Sequence, residues 1–231
     1  MKKLRTKGLT AASLVFASIT LAGCSEPATS VKAEGGYSID VLQLDGTDTL
    51  AFEPNAAFEP AEQSTIEFWV KPEWDATPDF DPVVLSNAGA NGAAYLVAIQ
   101  REKDGIALAS GDEAEVAEFD FSDGKLHHVA LIDLNGSIAV VVDGALVDEF
   151  AMTLEAMQTD GLYIGSAYGG DDGFEGVIGG LRLWDVAVPT ESLAKYRTKD
   201  VFDPDEPHPD LEFLSVISNF AEDDIIVVEP S

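Results

Sequence analysis

The sequence predicts an all-β protein, a two-sheet antiparallel sandwich of the jelly-roll type. Three observations favour this class. The apolar runs are short, many are rich in β-branched and aromatic residues, and frequent turn signals separate them at the spacing of sandwich strands. The 231 residues suffice for one domain with a good core, and the chain shows no internal repeat and no sign of a second domain.

The N-terminus has the three parts of an export signal peptide. A basic start, MKKLRTKG, precedes the apolar run LTAASLVFASIT and the small-residue end LAGC at residues 21–24. The apolar run is shorter than the roughly 20 residues of a membrane-spanning helix. The LAGC end resembles the lipobox of bacterial lipoproteins, which implies cleavage before Cys24 and lipidation of its thiol. The alternative is an ordinary signal peptide with a coincidental cysteine.

These features predict a signal peptide at residues 1–23, a lipid-anchored tether at 24–36 and one domain at 37–231. The tether sequence, SEPATSVKAEGG after Cys24, lacks periodicity and is typical of a flexible linker. Cys24 is the only cysteine, so the exported protein contains no internal disulfide. Ser25 after the modified cysteine resembles the sorting pattern of Gram-negative lipoproteins. We therefore expect a protein anchored in the bacterial cell envelope, at the outer membrane.

The chain is strongly acidic. Its formal net charge is −29, and removal of residues 1–23, which hold four basic and no acidic residues, makes it −33. Such a surface repels phosphate backbones, so we expect no nucleic-acid partner. The acids are spread along the chain, which favours a solvated carboxylate coat over an acidic site for one basic partner.

The predicted strands follow one another along the domain, with a helix near the end. The helix is expected at 189–200, because Pro189 suits its start and basic residues its last turn. A proline-stiffened connector at 203–210 leads to closing strands at 211–218 and 224–228. The other predicted strands are residues 37–44, 49–52, 64–72, 82–86, 93–100, 105–110, 115–121, 127–133, 137–142, 145–150, 161–167 and 177–186.

Residues 123–150 contain two adjacent histidines and two strong hairpin signals, Asn-Gly at 135–136 and Asp-Gly at 143–144. These signals predict a three-strand meander over 127–134, 137–142 and 145–150. Successive side chains of a strand point to opposite faces, so His127 and His128 cannot ligate one metal ion. We expect both to be structural, with His128 on the core side and His127 the more exposed.

Several blocks resemble laminin-G-like domains of the concanavalin A-like lectin/glucanase superfamily. They are LQLDGTDTLAF, STIEFWVKPE, DGKLHHVALI, VVVDGALV, LYIGSA and FEGVIGGLRLWDVAVPTESLAKY, in the family's order over about residues 40–200. The resemblance implies a concanavalin A-like jelly roll with one concave sheet, and it makes the two histidines part of a sheet. Leu126 stands where the family usually has tryptophan, which affects local packing.

The resemblance raises the question of an enzyme, because some relatives are glucanases with two carboxylates on one strand. The closest match is EFDFSD, with Glu118, Asp120 and Asp123, but Asp123 lies in a predicted turn. No nucleophile elbow, zinc-protease motif or phosphate loop is present. We therefore predict no catalytic residues, and a glycoside hydrolase is only a remote alternative.

Two kinds of binding site remain candidates. The family often binds Ca²⁺, which takes six to eight oxygen ligands, but Gly179 and Gly180 stand in its usual acidic positions. A sugar site needs an exposed aromatic platform, for which Trp74 and Tyr168 are the candidates, although either could cap the core edge. Trp69 and Trp184 are expected to be packing residues. The calcium candidates are Asp171, Asp172 and Glu175, with Asp45 or Asp48 joining them.

The sequence therefore predicts a non-catalytic, lipid-anchored binding module of the envelope, for a glycan or a protein partner and with calcium as a candidate cofactor. The alternative is a structural envelope component whose surface mediates assembly. Fold alone does not separate the two.

Overall fold

The computed structural model of the protein describes residues 14–16, 19–22, 29–32, 38–89, 92–155, 161–218 and 226–228. Within these residues, two antiparallel sheets form a sandwich, and one short helix, α1 (Thr190–Tyr196), lies beside it. The predicted all-β sandwich is confirmed. The helix is shorter than the predicted 189–200, because the chain turns after Arg197, whose backbone N–H caps α1 by donating to the Leu193 carbonyl.

The strands agree closely with the sequence prediction in the middle of the chain. Short 3-10 turns at Ala56–Phe58, Tyr168–Gly170 and Leu211–Phe213 lie between strands. The strands are β1 (Leu14–Phe16), β2 (Ile19–Ala22), β3 (Thr29–Lys32), β4 (Ser38–Asp45), β5 (Thr49–Phe52), β6 (Ser64–Pro72), β7 (Val83–Gly89), β8 (Gly92–Ile99), β9 (Gly105–Ser110), β10 (Glu113–Glu118), β11 (His127–Leu134), β12 (Ser137–Val142), β13 (Ala145–Phe150), β14 (Leu162–Ile164), β15 (Glu175–Trp184), β16 (Leu214–Ser218) and β17 (Ile226–Val228).

In the described part of the chain, ten strands form one sheet and seven form the other. The ten-stranded sheet runs β1-β17-β16-β15-β6-β11-β12-β13. Two further strands extend it, because β4 pairs with β15 and β3 pairs with β4. The seven-stranded sheet runs β10-β9-β8-β7-β14-β5-β2. Neighbours distant in the chain, such as β6 and β15, require long connections, as expected for a jelly roll.

The predicted meander is confirmed to the residue as β11, β12 and β13. Its two turns have positive φ at both central residues, 56° and 83° at Asn135 and Gly136, and 53° and 82° at Asp143 and Gly144. This is the type I′ geometry that Asn-Gly and Asp-Gly favour, because its twist matches the twist of the flanking strands.

The main core lies between the two sheets. Phe68, Val129 and Leu131 enter it from the ten-stranded sheet, and Tyr95 and Ile164 enter it from the seven-stranded sheet, all at most 1% exposed. Each such side chain contributes about 1.5–3 kcal/mol by leaving water. Burial alternates along β5, β9 and β14, so the outer face of these strands is partly accessible, whereas residues 83–87 of β7 are buried on both faces.

A second layer covers the other face of the ten-stranded sheet. Val188, Leu193 of α1 and Val201 pack there against Ala130 and Trp184. As a result β6 and β11 are buried on both faces along nearly their whole length. The 186–214 segment therefore covers β6 and β11 on this face, whereas β5, β9 and β14 of the seven-stranded sheet keep a partly accessible outer face.

Burial of β11 on both of its faces corrects one expectation about the histidines. They face apart as predicted, but neither is exposed, because His127 is 5% and His128 1% accessible. His127 shares the main-core face with Val129 and Leu131, whereas His128 lies under the second layer. The assignment of His128 to the main-core face was wrong, since sequence alternation cannot show that both faces of β11 are covered.

Two short strands fall within the predicted signal peptide. β1 pairs with β17 at the end of one sheet, and β2 pairs with β5 at the end of the other. Cleavage before Cys24 would remove these outermost strands and leave β17 and β5 as the edges. The cleavage and the domain boundaries stay predictions, but the expectation of a flexible linker at 24–36 was wrong for residues 29–32, because β3 pairs there with β4. In the part of the chain that the structure describes, no helix has the length and apolar character to cross a membrane.

Candidate functional site

The outer face of the seven-stranded sheet, called the open face below, is built mainly from small residues. Cross-strand partners set one row across the sheet, and the side chains of such a row share a face. Half of the row is alanine, and Ser86 at its centre is buried beneath the turn that carries Ser166. The row is Ala51, Tyr163, Ser86, Leu96, Ala109 and Ala114.

Two tyrosines stand at one end of the open face. Tyr163 on β14 is half-buried, and its strand neighbours in the row, Ala51 and Ser86, are too small to cover its ring. Tyr168 in the following 3-10 turn is 43% exposed. The ring centroids lie 5.6 Å apart at 82°, an edge-to-face contact that holds the two rings at a fixed angle. Aromatic rings held this way offer an apolar platform to the C–H face of a sugar.

Hydrogen bonds fix the turn that carries Tyr168. Thr49 Oγ1 and Ser166 Oγ lie 2.7 Å apart, joining the turn to β5. Ser86 Oγ donates to the Ser166 carbonyl at 3.3 Å, joining it to β7. The Gly170 N–H donates to the Ala167 carbonyl at 3.1 Å and closes the 3-10 turn. The platform is therefore tied to two strands, which lowers the entropic cost of binding a ligand.

Of the two predicted aromatic candidates, Tyr168 is exposed but Trp74 is not. Trp74 is 6% exposed, its Nε1 donates to the Arg101 carbonyl at 3.0 Å, and its ring meets Phe174 edge-on at 5.8 Å. The Lys103 Nζ lies 5.0 Å from the centre of the ring. The expectation that Trp74 is a free loop platform was wrong, because residues distant in sequence close around it and make it a cap on the core edge.

Tyr163 was missed by sequence reasoning. It lies in the predicted strand 161–167, where an aromatic residue is more often a core residue. A signal was nonetheless present, since alanines recur at alternate positions of β9, at Ala107 and Ala109. Small residues at period two mark a sheet face that holds no large core side chains. The other tryptophans, Trp69 and Trp184, are buried, as predicted for packing residues.

The acidic residues proposed for calcium lie beside the platform. Asp171, Asp172 and Glu175 follow the Tyr168 turn, but the Asp171 and Asp172 carbonyls already accept from Ala167 and Val83 at 2.9 and 2.8 Å. Nowhere in the described ranges do three His, Cys, Asp or Glu side chains converge as metal ligands. The structure thus does not assemble a carboxylate cage from these acids, and calcium binding at this loop stays a prediction.

The second predicted acidic turn has a local structural role. Asp45 Oδ1 accepts hydrogen bonds from both the backbone N–H and the hydroxyl of Thr47, each at 2.8 Å, and these bonds lower the Asp45 pKa. Burial and the charge of Asp45 raise the pKa of Asp48. The field at this end of the open face is therefore negative.

The two histidines are structural members of β11. His127 Nδ1 lies 2.8 Å from Asp143 Oδ2 and its Nε2 lies 2.9 Å from Asp123 Oδ1. His128 Nε2 donates to Glu67 Oε2 at 2.7 Å. Burial opposes the charged form of His127, but the two carboxylates outweigh burial and raise its pKa. These three ring hydrogen bonds all go to protein carboxylates, which supports the predicted structural role of both histidines.

The carboxylates that resemble a glucanase pair are bound in local contacts. Asp120 Oδ1 accepts from the Ser122 hydroxyl at 2.6 Å, and Asp123 accepts from Lys125 and His127. These hydrogen bonds lower the pKa of Asp120 and of Asp123, whereas a general acid needs a raised pKa. Glu118 ends β10 at the edge of the open face.

The predicted lipidation residue, Cys24, lies outside the residues that the structure describes.

Among the clefts in the described part of the chain, one on the ten-stranded sheet offers a rival site. A cleft of about 410 Å³ opens on the ten-stranded sheet and is lined by residues that include Trp69, Arg182, Asp200 and Phe202. Phe202 is 48% exposed, which is close to the exposure of Tyr168. Arg182 is 7% exposed, and its Nη1 donates to Glu67 Oε1 at 3.2 Å, so its charge is neutralised within the protein.

Comparison with protein families gives one match. The profile described as the concanavalin A-like lectin/glucanases superfamily, of laminin-G type, matches residues 44–194. No curated protein sequence matches the chain.

Comparison with solved structures shows the same fold in proteins of low sequence identity. A Bacteroides ovatus protein assigned a carbohydrate-binding role has a TM-score of 0.60 and 17% identity over 78% of this chain and 51% of its own. The receptor-binding domain of a botulinum neurotoxin C/D mosaic has a TM-score of 0.56 and 16% sequence identity, and the match covers 78% of this chain and 45% of that one. The chain thus spans about half the length of these two. Domain 4 of a Geobacillus stearothermophilus extracellular arabinanase was solved with arabinotriose. It has a TM-score of 0.56 and 16% sequence identity, and the match covers 77% of this chain and 86% of that one.

Proposed function

Because the chain belongs to the laminin-G-like family of the concanavalin A-like lectin/glucanase superfamily, we propose that it is a non-catalytic glycan-binding module. Domains of the same fold include a protein assigned a carbohydrate-binding role and an arabinanase domain solved with arabinotriose. These two domains support carbohydrate binding as the proposed activity. The site itself has to be argued from the residues of this chain, because fold does not fix function.

One observation carries the proposal: the outer face of the seven-stranded sheet is accessible and carries the Tyr163–Tyr168 pair. The pair supplies an aromatic platform, and three of the six residues in the row that contains Tyr163 are alanine. Exposed backbone and side-chain oxygens of the adjoining loop supply hydrogen-bond acceptors for sugar hydroxyls. This combination of an apolar surface with a few polar groups is the usual chemistry of a sugar site.

The cellular setting is also a proposal. Lipidation at Cys24 would tie the domain to the bacterial outer membrane through the tether at 24–36, and two or more acyl chains make such anchoring stable. An anchored module of this kind holds a glycan, or a glycan-bearing partner, at the envelope. The lipobox resemblance of residues 21–24 supports this setting.

A glycan array probed with the purified full chain tests the function. We expect retention of one group of related glycans, and the array is run with Ca²⁺ and with a chelator. Loss of binding in the chelator would support a calcium-assisted site at the Asp171–Asp172 loop. No retention of any glycan under either condition would contradict the proposal and favour a structural envelope component.

A further inference from the structure

All charged side chains on the described strands of the seven-stranded sheet are acidic. The described strands of the seven-stranded sheet contain no lysine and no arginine, and their only charged residues are three glutamates of β10. By contrast, the ten-stranded sheet has Lys71 on β6 and Arg182 on β15. A ligand on the open face therefore meets no basic side chain from the sheet below it.

The loops beside the tyrosine pair add only negative charge. Residues 45–48 and 165–174 contain four aspartates and no basic residue. Asp171 and Asp172 are exposed, so their charges face solvent beside Tyr168. Of the basic residues after β8, Lys103 donates through Nζ to the Trp74 carbonyl at 2.7 Å, and the Arg101 Nε lies 3.9 Å from Glu102 Oε1.

We propose that the open face selects its glycan by charge: it binds neutral or amine-bearing sugars and excludes those that carry carboxylate or sulfate groups. This inference rests on the proposed glycan-binding function and narrows it. The apolar floor and the tyrosine rings contact C–H faces, which uncharged and amino sugars share with acidic ones. The discrimination comes from the unpaired aspartates, because a ligand carboxylate within a Debye length of them is repelled without any cation to offset it.

The test compares glycans that differ only in charge. The full chain is titrated at low salt against three polymers of the glucose series: a neutral β-glucan, a glucuronan, which carries carboxylates, and chitosan, which carries amines. The same titrations are made with the matching polymers of the galactose series. Within whichever series binds, we expect the neutral or amino polymer to bind at least about tenfold more tightly than the uronic acid polymer. Equal or tighter binding of the uronic acid polymer would overturn the charge selection while leaving glycan binding intact. No binding in either series, together with an empty glycan array, would overturn both.

Paired variants test whether the local aspartates cause the selection. Asp171→Asn with Asp172→Asn removes two charges beside Tyr168, and asparagine tolerates the positive φ of 54° at Asp172. We expect the ratio of uronic-acid-polymer affinity to neutral-polymer affinity to rise several-fold in this double variant, because the repulsion acts only on the charged ligand. The matched control is Asp203→Asn with Asp205→Asn, which removes the same charge from the segment covering the other sheet. An equal gain in both double variants would attribute the effect to total charge and overturn the local proposal.

Discussion

At the scale of single residues, one buried carboxylate organises the ten-stranded sheet. Glu67 on β6 is 1% exposed, and it accepts hydrogen bonds from His128 at 2.7 Å, Trp184 Nε1 at 2.9 Å and Arg182 at 3.2 Å. Burial alone would raise the Glu67 pKa, but Arg182 and these hydrogen bonds lower it to about 2. The carboxylate thus joins three strands under the second layer, which gives His128 a structural role within the sheet.

His127 provides a pH-dependent part of the stability. Its folded pKa is raised above the ordinary 6.5, because the hydrogen bonds of Asp143 and Asp123 outweigh burial. Its contribution is therefore fully present below about pH 6.5 and is lost as the pH rises through the folded pKa. We expect His127→Gln to reduce the unfolding free energy more at pH 6 than at pH 9, as measured by urea denaturation. An equal loss at both pH values would mean that the ring acts only by packing.

Residue roles were predictable only in part. The opposite directions of His127 and His128 follow from strand alternation, but the cover on both faces does not. Trp74 looked free because Pro72 ends its strand, whereas the residues that bury it, Arg101, Lys103 and Phe174, come from distant parts of the chain. Exposure is set by tertiary contacts, and a local pattern does not contain them.

At the scale of elements, the hairpins of the meander were predictable to the residue. The Asn-Gly and Asp-Gly pairs require positive φ, and that requirement fixes both the turn position and the strand register. The same two turns differ in their surroundings. A Cβ on Gly144 would lie 2.8 Å from the Cβ of Ala194 in α1, whereas a Cβ on Gly136 meets nothing within 4 Å.

This difference predicts unequal costs for matched substitutions. Gly136→Ala places alanine at a φ of 83° with free space around it, so it should cost about 1–2 kcal/mol of strain. Gly144→Ala, at a φ of 82°, has the same strain and also displaces α1, so it should cost about 1 kcal/mol more. Chemical denaturation of both variants measures the difference. A Gly144→Ala protein at least as stable as Gly136→Ala would contradict the contact between the hairpin and α1.

At the scale of the whole molecule, charge dominates. The net charge of −29 is carried by 42 acidic residues against 13 basic ones, and few of the acids are neutralised by ion pairs in the described part of the chain. Self-repulsion of this size destabilises the compact state, and salt screens it. We expect the melting temperature to rise from very low to moderate NaCl concentration in a thermal-denaturation series. A flat or falling curve would show that the acids are already compensated.

The anchoring of the molecule depends on Cys24. If its thiol carries the lipid, Cys24→Ala should shift the protein from the membrane fraction to a soluble or unprocessed form. Fractionation with immunoblotting measures the distribution, and Ser25→Ala serves as the control because it keeps the cysteine. A correctly cleaved Cys24→Ala protein that stays in the membrane would contradict the lipoprotein interpretation.

The overall architecture was predictable, but the position of the site was not. Short β-rich runs and turn signals specify a two-sheet sandwich, since strands of this kind must bury one face. Which sheet keeps an accessible face depends on where the 186–214 segment packs, and no pattern within a strand encodes that choice. Tyr163 and the alanine row became a candidate site only once the second layer was seen to cover the ten-stranded sheet.

The central claim is that glycans bind at the tyrosine pair of the open face. Isothermal titration calorimetry of Tyr168→Ala, with the best glycan from the array, tests it most directly. We predict a loss of affinity of about tenfold, the size expected for one aromatic contact. Phe202→Ala, which removes an aromatic ring of similar exposure from the rival cleft, should leave affinity within about twofold of the unsubstituted protein. Unchanged affinity in Tyr168→Ala together with a large loss in Phe202→Ala would contradict the account.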